Sequence, residues 1–252
     1  MLSRTACLVA ALVLSGLAWS LDAATQSKDK VVVKRMFTEG AAKTCHLVAK
    51  LVKAGTRKDI LAEMTITSKC VSLEKDTGAN MAAEFTEFSV SIDWRDITKT
   101  QHTPPVVKYV LDNNGNCGKL TTDVASDEAK LAKLLVAVLC VPLPPDGIAP
   151  GDKWKVEPKE GVDLGVPGTH TYEFAGLEDV PTVAKALKVR YSFKGVAAGD
   201  AKAIDIKGNM WLDPKTGDLV VLKADVTDFI LNNETLAGTV AIQPNEKKSA
   251  SP

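Results

Sequence analysis

The sequence predicts a mainly β protein (β-rich α+β): a strongly curved antiparallel sheet or half-barrel that wraps one buried helix near 126–141. Three observations predict it. Long stretches at 45–54, 59–73 and 81–94 alternate apolar and polar residues with the period of two of a half-buried strand. Turn signals separate them, and Asn113-Asn114-Gly115 is a strong hairpin turn because Asn and Gly tolerate positive φ. A single leucine- and alanine-rich stretch, closed by Pro142, reads as a helix. The chain has 252 residues, 45% of them hydrophobic, which is ample for a buried core. Its 31 Lys+Arg balance 31 Asp+Glu, so no global field draws it to nucleic acid or acidic lipid. An aromatic content of 5% argues against base-stacking platforms and carbohydrate clefts.

The elements follow in order. Arg4, an apolar run from Ala6 to Leu17 and small residues ending at Ala23-Ala24 describe a signal peptide over 1–24, cleaved on export. The run is short for a bilayer span of about 20 residues, so no transmembrane anchor is expected after cleavage. The mature protein is therefore expected to be exported, periplasmic or extracellular. Residues 31–141 read as a first β module plus helix, with strands at 31–37, 45–54, 59–73, 81–94, 106–112 and 117–122. In the helix Ser126 is the N-cap, Asp127 and Glu128 sit in the first turn, and only Lys130 and Lys133 break the apolar surface. Residues 142–150 (PLPPDGIAP) form a Pro-rich connector. A second β module over 151–243 continues the same domain, with strands at 153–157, 170–174, 187–193, 204–212, 219–231 and 237–242 and a short helical turn at 181–187. The tail 244–252 is polar and expected to be disordered. Tyr109-Val-Leu-Asp112…Gly115 recurs as Trp211-Leu-Asp213…Gly217; duplication of one β module and chance similarity of two hairpins both fit that repeat.

Cleavage leaves four cysteines, Cys45, Cys70, Cys117 and Cys140, and an even count in an exported chain suggests two disulfides. Cys45 and Cys70 lie on the apolar faces of strands joined by the 55–58 turn, which favours Cys45–Cys70 and, by default, Cys117–Cys140. No CxxC exists, and His46 points to the opposite face from Cys45, so no metal site is expected.

Several landmarks occur together in order: the 33–37 strand with Gly40, the strand-turn 109–115, the leucine-rich helix ending in Pro142-Leu143-Pro144, the phrase Pro150-Gly151-Asp152-Lys153-Trp154, Thr171-Tyr172, and Trp211-Leu212-Asp213…Gly217. With them the chain resembles, over about residues 31–230, a family of uncharacterised exported bacterial proteins, a domain of unknown function. The Leu-Pro…Pro-Gly-Asp-x-Trp signature is the most specific part. More loosely, such proteins are similar to periplasmic lipoprotein-carrier and lipoglycan-carrier folds, and that similarity implies a half-open β-barrel closed over an apolar cavity by helices. It brings no catalytic or binding residues with it.

Chemistry is sparse. The sequence holds no GxSxG, HExxH, P-loop or Rossmann fingerprint. His46, His102 and His170 are scattered and read as surface or rim residues. Glu84, Glu87, Asp93 and Asp96 read as the solvent side of a strand and its turn, and Asp112, Asp152 and Asp213 as turn formers. Asn233-Glu234-Thr235 matches a glycosylation sequon that a bacterium leaves unused. No catalytic residue, cofactor or metal is expected, and the chain reads as no enzyme. The expected function is a non-enzymatic binding module for an apolar ligand such as lipid, with Leu131, Leu134, Leu135, Val138, Trp154 and Trp211 as candidate cavity residues. The alternative is a structural or interaction module that binds an envelope protein and no small molecule.

Overall fold

The computed structural model describes residues 30–75, 78–98, 104–157, 167–196, 203–231 and 234–244, all but Lys30 in the unit Val31–Pro252. The expected leader 1–24, His102, Asn233 of the sequon and the tail beyond Pro244 lie outside the described residues.

The strands are β1 (Ala42–Lys53), β2 (Asp59–Glu74), β3 (Gly78–Ile92), β4 (Arg95–Asp96), β5 (Val107–Asp112), β6 (Lys153–Val156), β7 (Gly168–Val180), β8 (Val183–Gly195), β9 (Asp205–Leu212), β10 (Leu219–Leu231) and β11 (Glu234–Pro244). One helix, α1 (Asp127–Leu139), lies between β5 and β6. All the strands join one antiparallel sheet in the order β4-β3-β2-β1-β11-β10-β9-β8-β7-β6, with β5 also on β3. The two halves of the chain meet where β1 pairs with β11. Both ends of the sheet stay open, so it is not a closed barrel.

One face of this sheet holds the core. On β1, Cys45, Leu47, Ala49 and Leu51 are buried while the intervening residues are not, as the period of two demands. The parity reverses at β-bulges, two of which border the space under the helix. On β3 the inward residues are Ala83 and Phe85, then Phe88, Val90 and Ile92; between them Glu87 takes φ 50° where the register with β2 shifts. On β10 they are Leu222, Ala224 and Val226, then Phe229, with Asp228 at φ 53° and a shift against β11. Each bulge adds one residue, returns the next aromatic to the inner face and sharpens the local twist, which curls the sheet.

Ser126 caps α1, its hydroxyl accepting from the Ala129 amide at 3.2 Å. The helix stops at Leu139, two residues before the expected end, with Pro142 just beyond. Its Ala129, Ala132, Leu134, Val136 and Val138 are buried, and it packs beside β5.

Several expectations are corrected. Residues 31–37 make an extended segment that touches the rest through a Val31–Ile148 bridge and form no sheet strand. Residues 117–122 contribute bridges at Cys117 and Thr121 only. The helical turn expected at 181–187 is the tip and outgoing strand of the β7–β8 hairpin, with Lys185 at φ 53° donating its amide to Asp179 Oδ1 at 2.7 Å. Residues 142–150 join the helix to β6, with Leu143, Ile148 and Ala149 buried and Pro145, Asp146 and Pro150 exposed.

The four cysteines are free thiols. The β1–β2 hairpin places Cys45 opposite Ile66, whereas Cys70 pairs with Met81 on β3. Cys45 and Cys70 share a face but are offset by four residues, about 13 Å at roughly 3.3 Å per residue. That is far outside the ~7 Å Cα limit of a disulfide. Cys117 and Cys140 do meet, as hydrogen-bonded thiols without a disulfide; that bond and burial push the Cys117 thiol up. Burial likewise pushes the Cys45 thiol up to about 11.

Candidate functional site

Between the inner face of the sheet and α1 lies a cavity of about 340 Å³. From the helix it is lined by Leu131, Leu134, Leu135 and Val138, four of the six residues expected from the sequence. Leucines at this spacing present one stripe to the sheet. The floor is built from alternate residues of neighbouring strands: Leu47, Ala49 and Leu51 of β1, Ile60, Ala62 and Met64 of β2, and Val226, Val240 and Ile242 of β10 and β11.

The register gives the cavity a direction. Leu47 pairs with Met64 and with Ile242, and Ile242 with Leu222; all four line the cavity and are no more than 3% exposed. This is the blind end. Six residues along β1, Lys53 pairs with Leu236 near Ile60, Ile92 and Phe229, which are half-buried. Ile97 is half-buried here too, and the two ionisable lining residues, Glu128 at the start of α1 and Glu234 at the start of β11, belong to this end. Lys53 Nζ donates to Glu234 Oε1 at 2.5 Å. This end is the mouth. The chain folds this way because the two bulges return Phe88 and Phe229 to the inner face as the strands approach the rim.

The other two expected residues stand elsewhere. Trp154 stacks on Tyr172 with ring centroids 5.4 Å apart and donates its indole N–H to the Pro142 carbonyl at 2.7 Å. It thereby ties β6 to the chain leaving the helix. The phrase around it is structural as well: Asp152 accepts from the Ala149 amide at 2.9 Å, and the Gly151 amide donates to Phe174 O. Trp211 belongs to a small cluster with Ala186, Val220 and Val221, apart from the main core. Neighbouring residues of a strand face opposite ways, so Met210 takes the core side and Trp211 the reverse.

Histidine placement is corrected too. His170 is 3% exposed, its Nδ1 3.1 Å from the Tyr191 hydroxyl, beside the rings of Tyr172 and Phe193. Burial holds it down to about 4, so it is neutral at physiological pH. His46 is half-buried on β1. Glu84 and Glu87 are exposed, and Glu87 accepts from the buried Thr65 hydroxyl at 2.6 Å. Among the described residues no group of three or more His, Cys, Asp or Glu could hold a metal ion.

Arg35 is the residue that sequence reading missed. It is 5% exposed and joins the two turns of the internal repeat. Its amide donates to Asn113 O in the first turn at 2.8 Å. Its guanidinium donates to Gly217 O at 2.7 Å and to Asp218 Oδ1 at 2.8 Å in the second, and to Val141 O at 3.3 Å beyond the helix. In each turn the aspartate accepts backbone amides: Asp112 those of Asn114 and Asn116, Asp213 that of Lys215. The only sequence signal was a lone arginine in an apolar 31–37 stretch.

No family model matches the chain, and no curated protein matches it. Among solved structures it is similar to a DUF1329 family protein from Desulfovibrio piger, over 83% of this chain and 88% of that one, at 11% identity and a TM-score of 0.24. That neighbour is a member of a domain-of-unknown-function family. A likeness this weak carries no argument about this chain's activity, and the Pro-Gly-Asp-x-Trp phrase finds no matching family model.

Proposed function

We propose that this chain is a non-enzymatic carrier or sensor of an apolar ligand such as a lipid, held between the curved sheet and α1 in an exported protein. The observation that supports this reading is the apolar void itself. At about 24 cal/mol per Å³, emptying 340 Å³ of a packed core forfeits roughly 8 kcal/mol. That is comparable to the whole net stability of an ordinary domain, about 5–15 kcal/mol. A fold whose sole purpose was to be compact would fill such a space with a few larger side chains, yet Ala49, Ala62 and Ala224 line it. Apart from Glu128 and Glu234 at the mouth the lining is apolar, and the buried His170 faces aromatic rings instead.

Native mass spectrometry of the chain, produced in a secreting bacterium and purified without detergent, tests this. The expected spectrum has an adduct of several hundred daltons that disappears on organic extraction, on a polypeptide lacking residues 1–24. An unliganded spectrum, together with no uptake of added lipid, would overturn the carrier reading. A mass that retains residues 1–24 would overturn the exported one.

A further inference from the structure

We infer that the cavity takes one unbranched alkyl chain of about eleven carbons, tail toward Leu47 and head at the Glu128–Glu234 mouth. This rests on the carrier reading and narrows it to a ligand class.

Length, volume and lining agree on it. From Val138 to Glu128 the helix advances ten residues, about 15 Å at roughly 1.5 Å each. On the floor, Leu47 to Leu51 spans about 13 Å at roughly 3.3 Å per residue. The depth is therefore near 15 Å, measured without reference to the volume. The volume gives a second figure. A methylene is close to a water molecule in size, so at about 30 Å³ each the 340 Å³ holds roughly eleven. Eleven extended carbons and the bond to the head atom, with ~1.5 Å bonds at tetrahedral angles, advance about 13 Å. One chain thus uses the depth and the volume together. Two chains side by side would have five or six carbons each and reach only half-way.

The lining sets the orientation. Leu47, Met64, Leu222 and Ile242 at the blind end offer no hydrogen-bonding side chain, so a polar group pushed there would lie buried without a partner. The mouth carries Glu128, Glu234 and the Lys53 ion pair, where a polar head stays in reach of water.

Equilibrium dialysis of radiolabelled straight-chain alcohols, octanol through octadecanol, against the delipidated protein tests the inference. Kd is expected to fall about fourfold per added methylene up to undecanol or dodecanol, then to level off. A two-tailed lipid, dilauroyl phosphatidylcholine, is expected to bind at least tenfold more weakly than dodecanol. Affinity climbing without a break through octadecanol, or equal binding of the two-tailed lipid, would overturn the single-chain inference and leave the carrier reading standing. Binding of none of the probes would overturn both. Ala49→Leu puts three more carbons into the void and is expected to shorten the preferred alcohol by about three carbons, with an unliganded Tm no lower than the parent's. An unchanged preference in folded Ala49→Leu would place the chain elsewhere. If that variant fails to fold, Ala224→Val, two strands across the floor beyond Val240, carries the same test with a shift of about two carbons.

Discussion

The buried histidine makes stability depend on pH in a way that can be worked out in advance. His170 is neutral in the folded protein, and its pKa there is about 4 against 6.5 when unfolded. Its ring neighbours Tyr172, Tyr191 and Phe193 give it no carboxylate to pair with when charged. The sign follows from proton counting: below the unfolded pKa the unfolded chain takes up a proton that the folded chain refuses, so stability falls as pH falls. The contribution is intact above about pH 6.5 and shrinks through the window down to about 4. One pKa unit is worth ~1.36 kcal/mol, so the loss between pH 7 and pH 5 is about 2 kcal/mol, and nearly 3.5 kcal/mol once both states are protonated. Other carboxylates titrate in the same range, and the comparison that isolates His170 is the difference from His170→Asn, whose side chain does not titrate. Urea unfolding at pH 7 and pH 5 is expected to show the parent losing about 2 kcal/mol more than the variant. Parallel losses in the two proteins would refute the reasoning and mean that His170 is hydrated or paired when charged.

Two further perturbations test how the frame around the cavity is held. Arg35→Ala removes a buried guanidinium from Asp218, Gly217 and Val141 and is expected to cost about 3–5 kcal/mol in chemical denaturation. Asp218→Asn is expected to cost no more than half of that, because Asp218 is 37% exposed and Arg35 keeps both carbonyls; equal costs would refute the view that Arg35 works through the two turns. At Gly238, φ is 157° and a Cβ would stand 2.0 Å from the Lys50 carbonyl oxygen, so Gly238→Ala must part β1 from β11. A loss of about 2–4 kcal/mol is expected, with faster amide exchange along β1; unchanged exchange would show that the seam between the two halves has slack.

Much of this architecture was legible as pattern. The expected strand at 219–231 is β10 residue for residue, and the capped helix and the leucine stripe over the cavity follow from Ser126, Pro142 and the spacing of Leu131, Leu134, Leu135 and Val138. Even the bulge on β3 leaves a trace, since the alternation Ala83, Phe85 breaks and resumes as Phe88, Val90, Ile92. Periodicity failed where burial had another cause. Residues 31–37 alternate like a strand, yet what holds them is Arg35 between two distant turns, a contact spanning more than a hundred residues of chain.

The sequence by itself determined which residues share a face, because the periods of strand and helix are local properties of the backbone. It could not determine which face turns inward everywhere, nor which inward residues meet. Cys45 and Cys70 share a face and stand apart because hairpin register is set by pairing along the whole of β1 and β2. Trp211 lies opposite the main core because its neighbour Met210 took the inner position. The cavity belongs wholly to the tertiary level. Filled core and hollow core demand the same alternation of apolar residues, and only the stand-off between α1 and a sheet curled by two bulges leaves about 340 Å³ between them.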